Sequence, residues 1–334
     1  MTGIIKPRHL RKGDKVGIVS PSSAIKNFPQ RLDRGIKALE DLGLKVVLGR
    51  NAKNLQGYNA GTAEERADDI NDFFKDNEIK AIICSTGGET ANSVLPFLDF
   101  ELIKNNPKIF CGFSDVTTLN LAINRITGLI TFNGPTVLPT FGEFGGVNSF
   151  TLEHFRKAVF VNTPIGFLNN PAEYTEEILW WDKEDNRRRQ MKPASPYEFI
   201  TPGCATGKII GGNFIILCTL IGTKYFPELE DAILFLEDEG ETTSSVERRL
   251  TQLEQVGVFN HIKGLIFGRP FNFKESDDRT LKDILTEFGS KYDLPVVFNL
   301  DCGHTSPMIT LPIGVRAEMD SNKNTINILE SATI

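Results

Sequence analysis

The chain has 334 residues, enough for two hydrophobic cores rather than one. It is 40% hydrophobic and 24% charged, as in ordinary globular proteins, and its formal charge of -6 disfavours a nucleic-acid or anionic-membrane surface. No segment approaches the ~18 apolar residues of a membrane span, and Met1 to Lys15 lacks an apolar signal core.

Val16 to Val19 reads as a first strand, followed by a helix with Leu32, Ile36 and Leu39 at helical spacing. Val46 to Leu48 is the next strand, and a helix from Ala63 carries Ala67, Ile70 and Phe74 on one face. Ile79 to Cys84 and Ile109 to Gly112 are further strands, Asp115 to Ile126 reads as a helix, and Leu129 to Phe132 as a strand. Strands separated by helices imply a mainly parallel sheet covered on both faces, hence an α/β fold. From about Pro164 to Pro202 the rhythm breaks into a charged, proline-punctuated stretch with both tryptophans, which reads as a connector or as a loop lying over a site.

The rhythm then returns. Lys208 to Ile210 is a strand, and Gly211-Gly212-Asn213 opens a helix. Ile233 to Leu236 is a strand, and the next helix has a capping-box candidate in Ser244 and Glu247. Strands at Leu265 to Phe267 and Val296 to Phe298 lead to a loop holding His304. Ile309 to Leu311 and Ile326 to Leu329 are expected to form a hairpin-like end.

Three of these places carry chemistry. Ser114 stands between an apolar strand and a helix, where the amide of Asp115 is placed to donate to an oxyanion. The match to a GxSxG elbow is partial, because Val116 occupies the second glycine position; taken alone, Ser114 reads as a helix N-cap. Glu237 leaves the apolar run Ala232 to Leu236, where a desolvated carboxylate needs a partner such as an imidazole. Asp238, Glu239 and Glu241 are expected to turn outward. His304 sits among small polar residues and offers a general base with little tuning. Gly87-Gly88 after the third strand lets backbone amides approach a ligand, with Gly88 a second oxyanion donor. Trp180-Trp181 is either a stacking surface for a planar substrate group or inter-domain packing.

Of the remaining histidines, His154 and His261 read as structural residues at surfaces, and His9 belongs to a basic N-terminal arm. Cys84, Cys111, Cys204, Cys218 and Cys302 lack paired spacing, which points to reduced thiols in the cytoplasm. No CxxC or HExxH occurs, so neither a metal site nor a cofactor is expected.

Lys6-Pro7, Leu10, Gly13-Asp14, Val16 to Pro21, Ser85 to Phe100 and Gly112 to Asp115 match one known family. So do Asn133-Gly134-Pro135, Gly211-Gly212-Asn213, Phe235 to Glu239 and Gly303-His304. Together they resemble the serine carboxypeptidase family of muropeptide LD-carboxypeptidase and the microcin C self-immunity protein. The resemblance implies a triad of Ser114, Glu237 and His304, with oxyanion amides from Gly88 and Asp115. It implies an N-terminal Rossmann-like domain over 1–165, a connector and substrate loop over 166–199, and a smaller α/β domain over 200–334. It also implies a homodimer with the site in the cleft between the domains. Asn92-Ser93 and Leu95-Pro96 look like the microcin-immunity branch. Thr86 and Glu89 stand where the muropeptide branch tends to carry an arginine and an aromatic.

The expected function is amide hydrolysis in peptidyl- or aminoacyl-nucleotide conjugates of microcin C type, with Trp180 or Trp181 stacking on the base. Muropeptide LD-carboxypeptidase activity is the alternative. From another class comes a small-ligand binding protein without catalysis. A dehydrogenase is weaker, because no phosphate fingerprint occurs.

Overall fold

The computed structural model describes residues 3–334. The first sheet is built from β1 (Lys15–Val19), β2 (Lys45–Leu48), β3 (Ile79–Cys84), β4 (Ile109–Gly112) and β5 (Thr131–Asn133), all parallel. Its strands are short apolar runs, and every residue of β4 is buried, as both faces of a parallel sheet require. Helices α1 (Pro29–Asp41), α2 (Ala63–Lys75), α3 (Phe100–Asn105), α4 (Thr117–Thr127) and α5 (Ser149–Val159) connect and follow these strands. Thr62 and Glu65 close a capping box at the start of α2, satisfying two donors that the first turn leaves free.

After α5 the chain enters β6 (Gly166–Phe167), a small hairpin of β7 (Glu173–Tyr174) with β8 (Lys192–Pro193), and β9 (Glu198–Thr201). The second sheet then forms around four parallel strands: β10 (Cys204–Asn213), β11 (Ala232–Glu237), β12 (Gly264–Gly268) and β13 (Val296–Leu300). Helices α6 (Phe214–Thr219), α7 (Thr243–Gln255) and α8 (Leu281–Lys291) cross between them. The chain ends in β14 (Leu311–Ile313), β15 (Arg316–Asp320) and β16 (Thr325–Ile328). The sheet orders are β14-β5-β4-β3-β1-β2 and β6-β16-β15-β10-β11-β12-β13-β9. One apolar core runs continuously through both. The α/β class and the mainly parallel first sheet are as the sequence implied.

Three local expectations need correction. The C-terminal hairpin is β15 with β16, whereas Leu311–Ile313 returns to the first sheet, antiparallel to β5. The charged Arg316–Asp320 run hid a strand, because its polar side chains alternate with the buried Ala317 and Met319. The box at the start of α7 joins Thr242 and Ser245 rather than Ser244 and Glu247. His154 is buried rather than superficial, 4.5 Å from the Phe150 ring, and desolvation lowers its pKa to about 4.

Candidate active site

Four strands of the two sheets end at one place. The chain leaves β3 into Gly87-Gly88, β4 into Ser114, β11 at Glu237, and β13 into the loop that holds His304. Carboxyl ends of parallel strands are where open α/β sheets present ligand-binding groups.

Ser114 has φ 64, a left-handed conformation that costs a non-glycine residue about 1 kcal/mol or more. It caps neither the short helical turn it opens nor α4, so the N-cap reading fails. A positive φ at the turn from strand to helix is the backbone geometry of a nucleophile elbow. The Gly87-Gly88 backbone passes beside it: a methyl on Gly87 would stand 2.9 Å from Ser114 Oγ. At Gly88, φ is 147, and a methyl would meet Ser22 Oγ at 2.3 Å. Only glycine fits there.

Asp115 follows with its carboxylate turned inward. Its Oδ2 accepts from Ser22 Oγ at 2.6 Å and from the Ala91 amide at 2.8 Å. The side chain thus ties together the loops after β1 and β3, and its backbone amide stays at the start of the turn beside Ser114. Arg66 completes this buried frame, donating to the Pro21 carbonyl at 2.8 Å and to Ser93 Oγ at 3.0 Å.

Glu237 is 0% exposed. Its Oε2 lies 2.6 Å from His304 Nδ1, and its Oε1 accepts from Asn213 Nδ2 at 3.0 Å. A buried carboxylate is tolerable when both oxygens are paired in this way. Sequence reasoning placed Asn213 only at a helix start; it does cap α6 through Ile216, with the same side chain spanning both tasks. The His304 loop is held from behind by Asp301, whose Oδ1 takes Arg269 Nε at 2.7 Å. The Phe113 ring, next to Ser114, is 5.0 Å from the imidazole. The segments of Ser114, Glu237 and His304 therefore meet.

The acidic turn departs from expectation. Asp238 does not turn outward but is fully buried, and burial, reinforced by the charge of Glu237, pushes its pKa up to about 8. Glu239 turns toward the histidine, with Oε2 3.1 Å from His304 Nε2. This is the nitrogen that would take a serine proton, so the imidazole lies between two carboxylates. Among the described residues no hydrogen bond joins it to Ser114.

Burial by itself would lower the His304 pKa, but the charges and hydrogen bonds of Glu237 and Glu239 overcome it and hold the value well above 6.5. The stabilisation this brings is fully present below the ordinary imidazole value and is lost as pH rises through the elevated folded value. In Glu239→Gln, one of the two negative charges is gone, so the His304 ring should titrate at lower pH. Imidazole NMR resonances followed against pH check this; an unchanged midpoint would show that Glu239 does not hold the proton.

The tryptophans separate. Trp181 packs edge-on against Phe28 at 5.2 Å, with the Arg31 guanidinium 4.8 Å from its ring centre, and so anchors the connector on α1. Trp180 is 65% exposed. A cavity of about 130 Å³ opens beside His304, walled by the His304 loop, the segment after β5 and the connector, and neither tryptophan lines it. Among the described residues no group of three metal-ligating side chains is assembled, and no helix is long and apolar enough to cross a membrane.

Comparison with known proteins agrees along the whole chain. Residues 16–134 match the LD-carboxypeptidase N-terminal domain and residues 206–319 the LD-carboxypeptidase C-terminal domain. The microcin C7 self-immunity protein MccF of Escherichia coli is 34% identical over 96% of this chain and 94% of its own. A Bacillus subtilis protein named "Probable murein peptide carboxypeptidase" is 33% identical over 96% of this chain and 93% of its own. A solved structure of MccF with aspartyl sulfamoyl adenosine superposes with a TM-score of 0.91, at 32% identity over 99% of this chain and 100% of that one. With both halves matched in order and relatives aligned nearly end to end, the chain belongs to the LD-carboxypeptidase family of serine peptidases.

Proposed function

We propose that Ser114, His304 and Glu237 form a catalytic triad that cleaves an amide bond through an acyl-enzyme. The observation that carries this reading is the 2.6 Å contact of His304 Nδ1 with a fully buried Glu237, beside a serine held at positive φ. Substrate entry turns Glu239 aside; with that negative charge gone His304 gives its Nε2 proton to solvent, and the nitrogen is free to accept from the serine hydroxyl. His304 then removes the proton as Oγ attacks the carbonyl, and Glu237 fixes the ring tautomer and stabilises the imidazolium. The imidazolium gives that proton to the leaving nitrogen as the C–N bond breaks, and a water deprotonated by His304 then releases the acyl group from Oγ. The amides of Gly88 and Asp115 hold the oxyanion, an arrangement in which each donor is worth roughly 3 kcal/mol of barrier.

For substrate, the reading favoured here is an aminoacyl- or peptidyl-nucleotide conjugate of microcin C type. The support is the relative MccF, solved with aspartyl sulfamoyl adenosine and with glutamyl sulfamoyl guanosine, together with the exposed indole of Trp180 on the connector. The murein-peptide reading is favoured by the Bacillus subtilis relative of nearly equal identity. The proposal also divides the chain at 1–165, 166–199 and 200–334 and places the protein in the cytoplasm as a homodimer, which sedimentation would check.

Product analysis with both substrate types decides between them, and Trp180→Ala sharpens the test. Loss of base stacking should raise KM for nucleotide conjugates about tenfold and leave muropeptide cleavage unchanged. Equal effects on both substrates would remove Trp180 from base recognition.

A further inference from the structure

The cavity beside His304 is lined by two arginines of the connector, Arg188 and Arg189, and by one acid, Glu143. Arg189 is already paired, 2.9 Å from Glu143 Oε2, and Arg31 reaches the same oxygen at 3.6 Å. Arg188 has no carboxylate within 4.0 Å among the described residues; its guanidinium donates only to the Gly145 carbonyl. The side chain is nonetheless seated. Its stem crosses Gly145, where a methyl would come within 2.4 Å of Nε. The connector carrying it is pinned to the His304 loop by paired backbone bonds between Thr175 and Ser306, at 2.8 and 3.1 Å. It is pinned to α1 by Arg31 and Arg34 on Asp185. The amino end of α5 opens on the same space through Asn148 and Thr151 and adds partial positive charge.

A seated guanidinium without a counter-charge, facing a cavity next to the candidate base, is a ready partner for an oxyanion. We propose that Arg188 is a specificity-determining residue, receiving the anionic group that follows the scissile amide of the substrate. In a peptide that group is the free carboxylate of the released residue; in a nucleotide conjugate it is the ionised phosphoramidate or sulfamate. The assignment rests on the triad reading above, since that reading places bond cleavage at Ser114 and His304.

The test measures binding without cleavage, in a Ser114→Ala background, by calorimetry with two ligand pairs. One pair is N-acetyl-alanyl-alanine and its amide; the other is an acyl phosphoramidate of adenosine and its neutral methyl ester. The anion of at least one pair should bind about tenfold more tightly than its neutral partner. Arg188→Gln should reduce that ratio to near one, and Arg188→Lys should keep part of it. The pair that shows the effect identifies the source of the anion. No preference for either anion, or a preference that survives Arg188→Gln, would overturn the subsite. The triad reading is judged separately, by turnover of the unmodified enzyme, so the two can fail independently. Arg188 is exposed, so its variants should fold normally, and thermal melts confirm that.

Discussion

Alanine at Ser114 should lower kcat by on the order of 10^6, the loss seen when a serine nucleophile is removed from a triad. The effect is that large because Oγ is the attacking atom, and nothing else at the end of β4 offers an equivalent nucleophile. Alanine keeps Cβ, so the cost of holding φ 64 stays in place and the turn should persist. Circular dichroism and thermal melting should therefore match the parent protein. A fluorophosphonate probe should label the parent at Ser114 and leave the variant unlabelled. Retained turnover in the variant would end the serine mechanism for this protein.

Glutamine at Glu237 should lower kcat by about 10^4 with little change in KM. The side chain is isosteric, and its carbonyl oxygen can still accept from Asn213 at the position of Oε1. On the other side, an amide NH2 would face His304 Nδ1 where a carboxylate oxygen stood at 2.6 Å. That donor forces Nδ1 to accept and places the ring proton on Nε2, which can then no longer take a proton from a serine. The imidazolium formed during attack would also lose its buried counter-charge. Because Glu237 helps to hold the His304 pKa up, the ring should titrate at lower pH in the variant. Steady-state kinetics, with nitrogen chemical shifts of the imidazole, would read both effects. A loss under about tenfold would show that Glu237 orients nothing that the reaction needs.

Much of the architecture was legible from local sequence because parallel strands buried on both faces read as uninterrupted apolar runs. Ile79–Cys84 and Ile109–Gly112 are two such runs, and they end at the Gly87-Gly88 and Ser114 turns. Strand ends could be located, and so could the polar residues that follow them. The Arg316–Asp320 strand escaped because one face of it is polar, and the α7 box was misplaced because Thr242, Ser244 and Ser245 are all competent caps within one turn.

By itself the sequence determined the α/β class and the position of Ser114, Glu237 and His304 beyond apolar runs, since burial and chain direction are written in periodicity, and the family through the resemblance of its motifs. Only the tertiary structure decided that Asp238 is enclosed while Glu239 turns to His304, because beyond Glu237 the strand alternation ends and packing selects the side. It alone decided that Asn213 braces Glu237, that Trp181 is an anchor while Trp180 is free, and that Arg188 seats on Gly145. Each of these joins residues from different parts of the chain, and no local spacing encodes a contact that exists only once the two sheets have closed on one another.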